Sequence, residues 1–91
     1  MLMSNPELPR LYTPGVVVRR SRLGVVNPET PISVYRDAAG NHALADGNHR
    51  SYKAWVLGIA GPGRVVIGTI QKDVSQDPDF RPISDLRVIE D

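Results

Sequence analysis

The chain has 91 residues, 11 basic and 10 acidic side chains, a formal charge of +1 and no cysteine. This length supports one small domain with one core, the missing cysteine excludes disulfides, cysteine-ligated metal centres and thiol chemistry, and the balanced charge leaves no broad field for DNA or an anionic membrane, so anion recognition has to be local. Residues 1–10 carry neither the basic nor the apolar region of a secretion signal, and the apolar runs are a few residues against the roughly 20 that span a bilayer, so the expectation is a cytoplasmic chain without a membrane partner.

Eight glycines and eight prolines punctuate the chain, which favours short elements joined by turns: an α+β domain with a small mixed sheet and one main helix. Residues 1–15, with three prolines and little periodicity, read as an irregular arm that Leu8, Leu11 and Tyr12 tie to the core. The β-branched run 16–20 reads as a strand and 21–31 as a connector, because Asn27-Pro28 and Thr30-Pro31 disfavour helix before each proline. Residues 32–36 alternate apolar and polar, 37–41 supply a turn with Gly40 and Asn41, and 42–46 return as a second strand, giving a hairpin with Leu44 on its inner face. Residues 49–57 form the one good helix, capped by Asn48 or Asp46, with a wide apolar face of Tyr52, Ala54, Trp55, Val56 and Leu57, and ended by a left-handed Gly58. Residues 64–70 read as a buried strand weakened by Gly68, 71–82 as a loop or arm, and 85–89 as either a last strand or a helical turn.

The strand-to-helix turn Asp46-Gly47-Asn48-His49-Arg50 is where chemistry is expected. A helix start leaves backbone N–H groups unpaired at the positive end of the macrodipole, which attracts an anion. Gly47 clears space for a ligand, Arg50 can fork onto phosphate oxygens, and His49 can donate to an anion or move a proton. Two cations in a first helical turn cost about 0.3–1 kcal/mol through the dipole, a conflict that a bound anion reverses. The candidate phosphate contacts are therefore Gly47, Asn48, His49, Arg50 and Ser51, with Asp46 and His49 as candidate catalytic groups. The plain alternative is a structural turn, since Asp-Gly is a common turn and Asn a common cap.

Residues 27–70 resemble the ParB/sulfiredoxin superfamily. The resemblance runs through Asn27-Pro28, Pro31-Ile32-Ser33-Val34, the hairpin, Gly47-Asn48-His49-Arg50, then Ala54 and Gly58, then the apolar run from Val65 to Ile70. It implies a compact mixed sheet whose helix start contacts the phosphates of a nucleotide, with Gly47, His49 and Arg50 inheriting that contact and ATP or CTP with Mg2+ as the ligand. Asn48 stands where sulfiredoxins carry their reactive cysteine, which rules out sulfinic acid reduction. ParB partition proteins usually have Glu-Arg where this chain has Asn48-His49, and the DNA-binding and dimerisation segments of those proteins have no counterpart here.

His42 and His49 with Asp46 are too few for a persuasive metal site and read as surface histidines, so no metal is assigned. The glycine-rich stretch 58–63 follows a helix where phosphate loops open one, so it reads as a cap and turn. Arg19, Arg20 and Arg22 form a small basic cluster suited to a solvated strand end or a weak nucleic-acid contact; Tyr52 and Trp55 read as core; Asp73, Asp77 and Asp79 read as a solvated acidic tail anchored by Phe80. Three functions follow from the residues and the resemblance: a nucleotide- or phosphate-binding module, with phosphotransfer or NTP hydrolysis as the chemistry to expect of it; a nucleic-acid-acting protein, either a small nuclease of the ParB-like type or a plasmid or phage factor; and a non-catalytic adaptor for a protein partner or a second copy.

Overall fold

The computed structural model describes residues 4–14 and 17–91; Val16 of the expected first strand, and Met1 to Met3 and Gly15 of the arm, lie outside the described residues. The N-terminal segment is more ordered than its prolines suggest. Residues Asn5–Arg10 form a 3₁₀ helix, which Pro6 opens with a fixed φ and Glu7 stabilises by accepting from the Ser4 N–H (2.7 Å) and hydroxyl (3.0 Å). Strand β1 (Tyr12–Thr13) follows, then β2 (Val17–Arg19) and one turn of helix α1 (Arg20–Leu23), which takes Arg20 out of the expected strand.

The hairpin is present as read: β3 (Ile32–Arg36) and β4 (His42–Asp46) pair antiparallel, with Val34 opposite Leu44 and Arg36 opposite His42. Gly40 has φ +87°, and Asp37 organises the turn by accepting from the Ala39, Asn41 and Val74 amides and from the Asn41 side chain. Helix α2 (Asn48–Leu57) and strand β5 (Arg64–Thr69) follow. The segment expected as an open loop holds a 3₁₀ turn (Val74–Gln76) that buries Val74, and β6 (Arg81–Pro82). The undecided C-terminal stretch is a 3₁₀ turn (Ile83–Asp85) and then β7 (Arg87–Ile89), parallel to β2.

These strands make a mixed five-stranded sheet in the order β5-β3-β4-β1-β6 and a two-stranded sheet β2-β7. One core joins them: Leu8 and Leu11 from the N-terminal segment, Val18, Ile32, Val34, Leu44, Ala54, Ile83 and Leu86. Two burial expectations are corrected. The apolar face of α2 is narrow: Ala54 is buried, Tyr52 and Trp55 pack against the core and edge-to-face on each other, with ring centroids 5.8 Å apart, and Val56 and Leu57 are exposed. Strand β5 is a sheet edge, so Val65, Val66 and Ile67, expected to be buried, lie 53%, 42% and 52% exposed. An apolar run marks a strand without saying whether a neighbour covers it.

Among the described residues no helix is long and apolar enough to cross a membrane.

Candidate functional site

The hairpin delivers Asp46 to the start of α2, and Gly47 turns the chain with φ +113°. That angle explains the helix start without a side-chain cap: Gly47 is itself the N-cap, correcting the expectation of Asn48 or Asp46 in that place. A Cβ on Gly47 would overlap Ile32 Cγ2, so the missing side chain makes room for the core and not for a ligand.

The side chains around the turn are turned inward or sideways. Arg50, whose side chain is 16% exposed, donates to Asp46 Oδ2 at 2.7 Å and to the Pro31 carbonyl. Its charge is answered by Asp46 at the end of β4 and by the carbonyl just before β3, which offsets the dipole conflict read from the sequence. His49 bridges two elements: its Nε2 accepts the Arg19 backbone N–H (3.1 Å) while Nδ1 and the His49 amide both lie on Asn48 Oδ1 (3.1 and 2.9 Å). A backbone N–H can only donate, so this geometry places the ring proton on Nδ1 and leaves His49 neutral. Burial, then Arg22 and Arg19 nearby, hold its pKa below the ordinary histidine value. Ser51 is fully buried, and its hydroxyl has no partner among the described residues. In this conformation, of the residues expected to face a phosphate, His49 and Arg50 are engaged by the protein and Ser51 lies inside it.

A cleft of about 200 Å³ nevertheless opens at the turn, lined by Asp46, Gly47 and Asn48 with Thr13, Pro14, Leu44 and Ala45. The Asn48 and Arg50 amides have no hydrogen-bond partner among the described residues, and the Asp46 side chain is 76% exposed beside them. Thr13 and Pro14 belong to the site only because β1 packs parallel to β4, with Tyr12 level with Ala43; no local signal near residue 13 announces that pairing.

The remaining candidates are dispersed. No cluster of three histidine or acidic side chains suits a metal ion among the described residues. His42 and His49, read as surface residues, are both half-buried, and burial lowers the pKa of each. Arg20 pairs with Glu90 (2.8 Å) and Ser21 bonds Asp91, so acids face the basic cluster. Asp73 and Asp77 are not a solvated tail: Asp73 accepts from Asn41 and Ser75, and Asp77 pairs with Lys72, which lies over the Phe80 ring. Asn5, in the N-terminal segment, caps the far end of α2 by donating to the Ala54, Trp55 and Ile59 carbonyls at 3.0–3.2 Å.

Compared with family models, with curated proteins and with solved structures, the chain has no significant match in any of the three.

Proposed function

We propose that this chain is a binding module for a phosphate-bearing ligand, ATP or CTP with Mg2+ being the first candidates, with a phosphate seated in the cleft at the start of α2 and a fold akin to the ParB/sulfiredoxin type. One observation carries the reading: a cleft of about 200 Å³ opens at the start of α2, and the Asn48 amide in its wall, like the Arg50 amide in the same helical turn, has no hydrogen-bond partner among the described residues. The cleft's one charged wall is Asp46, which repels a bare phosphate. A divalent cation resolves this, since Mg2+ is commonly held by one carboxylate together with substrate phosphates, with no all-protein cage. Asp46 is then the cation ligand and not a base, Asn48 and Gly47 face the phosphate, and Arg50 fixes the Asp46 carboxylate. Phosphotransfer or NTP hydrolysis would need a free proton carrier, and His49 is not one.

The test is an amide-shift titration with ATP, CTP, GTP and inorganic phosphate, each with and without Mg2+. Saturable shifts at Asp46, Gly47, Asn48 and Arg50 that need Mg2+, and lose that need in Asp46→Asn, are expected. No shift at these amides with any of the four ends the proposal.

A second reading, an adaptor for a protein partner, is favoured by the exposed Val65, Val66 and Ile67 on the edge strand β5. A nuclease is the weaker alternative, since the basic cluster Arg19, Arg20 and Arg22 is faced by Glu90 and Asp91.

A further inference from the structure

We propose that a second cleft, beneath the 3₁₀ helix Asn5–Arg10, binds a small oxyanion, carboxylate or phosphate, between Arg10 and Arg64. The cleft measures about 290 Å³ and shares no residue with the one at the start of α2. Its walls are Glu7 and Arg10 from the 3₁₀ helix, Arg64 from the start of β5, and Gly40, Asn41 and His42 from the hairpin turn.

The strand register makes these residues unusual. Arg64 is level with Ile32, and His42 lies two residues before Leu44; Ile32 and Leu44 are core residues. Arg64 and His42 therefore occupy core-facing positions, where the alternation of a half-buried strand calls for apolar side chains. Neither is satisfied by the protein. The one ion pair of Arg64 among the described residues is a long contact, 3.9 Å, to Glu7 Oε1, while Glu7 Oε2 is held by Ser4. The Arg10 guanidinium forms no hydrogen bond or ion pair among the described residues and acts on Glu7 only at a distance, and His42 Nε2 is buried without a partner among them. Two guanidinium groups against one carboxylate leave a net positive cleft, and burial with the nearby Arg64 and Arg36 keeps His42 neutral.

The wall opposite the arginines is fixed. Asp37 holds the Asn41 amide and side chain, and Asp73 holds that side chain from the other side. A cleft at the small end of the range for ligand sites, roughly 300–1,000 Å³, suits an anion of a few heavy atoms and not a whole nucleotide. Guanidinium forks match carboxylate and phosphate alike.

The experiment follows the Arg10 and Arg64 side-chain Nε–H signals and the His42 ring while sodium phosphate or sodium succinate is added at fixed ionic strength, with sodium chloride as the control. Saturable shifts with at least one of the two anions are expected, and which one responds tells a phosphate site from a carboxylate site. Arg10→Gln should weaken the binding about tenfold, as loss of one charged hydrogen-bond partner does, and Arg10→Gln with Arg64→Gln should abolish it. The amides of Gly47 to Ser51 report on the other cleft, so failure here leaves that reading standing. Absence of saturable shifts with both anions, or undiminished binding in the double variant, overturns the proposal. If the double variant loses its dispersed spectrum, unchanged affinity in Arg10→Gln alone overturns it.

Discussion

Gly47 and Gly58 stand at the two ends of α2, both with positive φ, for different reasons. At Gly58 (φ +72°) a Cβ would meet nothing within 4 Å, so Gly58→Ala pays only for the left-handed backbone, about 1 kcal/mol. At Gly47 (φ +113°) the same methyl would also overlap Ile32, adding the cost of overpacking the core, so Gly47→Ala should lose about 3 kcal/mol. Urea unfolding of the two variants measures the difference; equal losses would mean that Ile32 yields freely and that Gly47 is a turn residue and nothing more. Asp37 gives a second contrast. It is 6% exposed and accepts four hydrogen bonds that tie the hairpin turn to Val74. Burial raises its pKa and the bonds from Asn41, Val74 and Ala39 lower it, with a net lowering that marks the ionised form as the one the fold prefers. Asp37→Asn loses the charge and aims an NH2 at donors, so roughly 2–3 kcal/mol should go in the same assay.

Between elements, the N-terminal segment is tied to α2 by the packing of Leu8 and Leu11 in the core shared with Ala54 and by the polar contacts of one side chain, Asn5. Asn5 adds a side-chain donor to the Ala54 and Trp55 carbonyls, which already accept the Ile59 and Gly58 amides, and to the Ile59 carbonyl, and Gly61 brings the following loop so close to Leu8 that a Cβ there would press into that side chain. Asn5→Ala should speed hydrogen exchange at the end of α2, at Gly58 and Ile59, by about tenfold, the equivalent of roughly 1.4 kcal/mol, while exchange in β3 stays unchanged. Uniform acceleration would show instead that Asn5 supports global stability alone. The same elements mark how far the sequence could be read. The hairpin and the body of α2 were legible because their signals are local: alternation, a Gly-Asn turn, a glycine past the last helical turn. Leu8 and Leu11 were legible as apolar islands in a polar arm. The cap from Asn5, 49 residues from Ala54, was not; β7 was legible only as one of two alternatives, because it is three residues long and its partner strand lies 70 positions earlier. The edge position of β5 was hidden for the same reason, since burial of that strand depends on what lies beyond it. At the candidate site the turn, its open amides and Asp46 as a local partner for Arg50 could be foreseen, but not the Pro31 carbonyl that Arg50 also reaches nor the Arg19 amide that His49 accepts, both of which come from across the fold.

For the whole molecule, the two histidines and the carboxylates set a stability profile with two descending steps on acidification. His42 and His49 are held in the neutral form, with burial first among the causes and neighbouring arginines second, so the folded pKa of each is below the unfolded value of 6.5. The unfolded chain therefore binds more protons in that range, and stability rises with pH there: it is fully present above about 6.5 and is lost as pH falls through the folded values. For His49 the loss has a structural meaning, because a protonated Nε2 cannot accept the Arg19 amide, and the tie between α2 and β2 opens. Asp37, Glu7, Asp77 and Asp91 are shifted in the sense usual for carboxylates, downward, so their contribution is present above about 4 and fades below it; Asp37, the buried one, dominates because exposed pairs are worth little. Urea midpoints measured from pH 8 to pH 3 should thus fall in one stage below pH 6.5 and in a second below pH 4. In a His42→Gln, His49→Gln chain the first stage should flatten and the second persist. A wild-type profile level from pH 8 to pH 4.5 would show that neither imidazole is held neutral by the fold. The bridge from Arg19 to His49 would then be incidental, and His49 would again be free to serve a ligand at the start of α2.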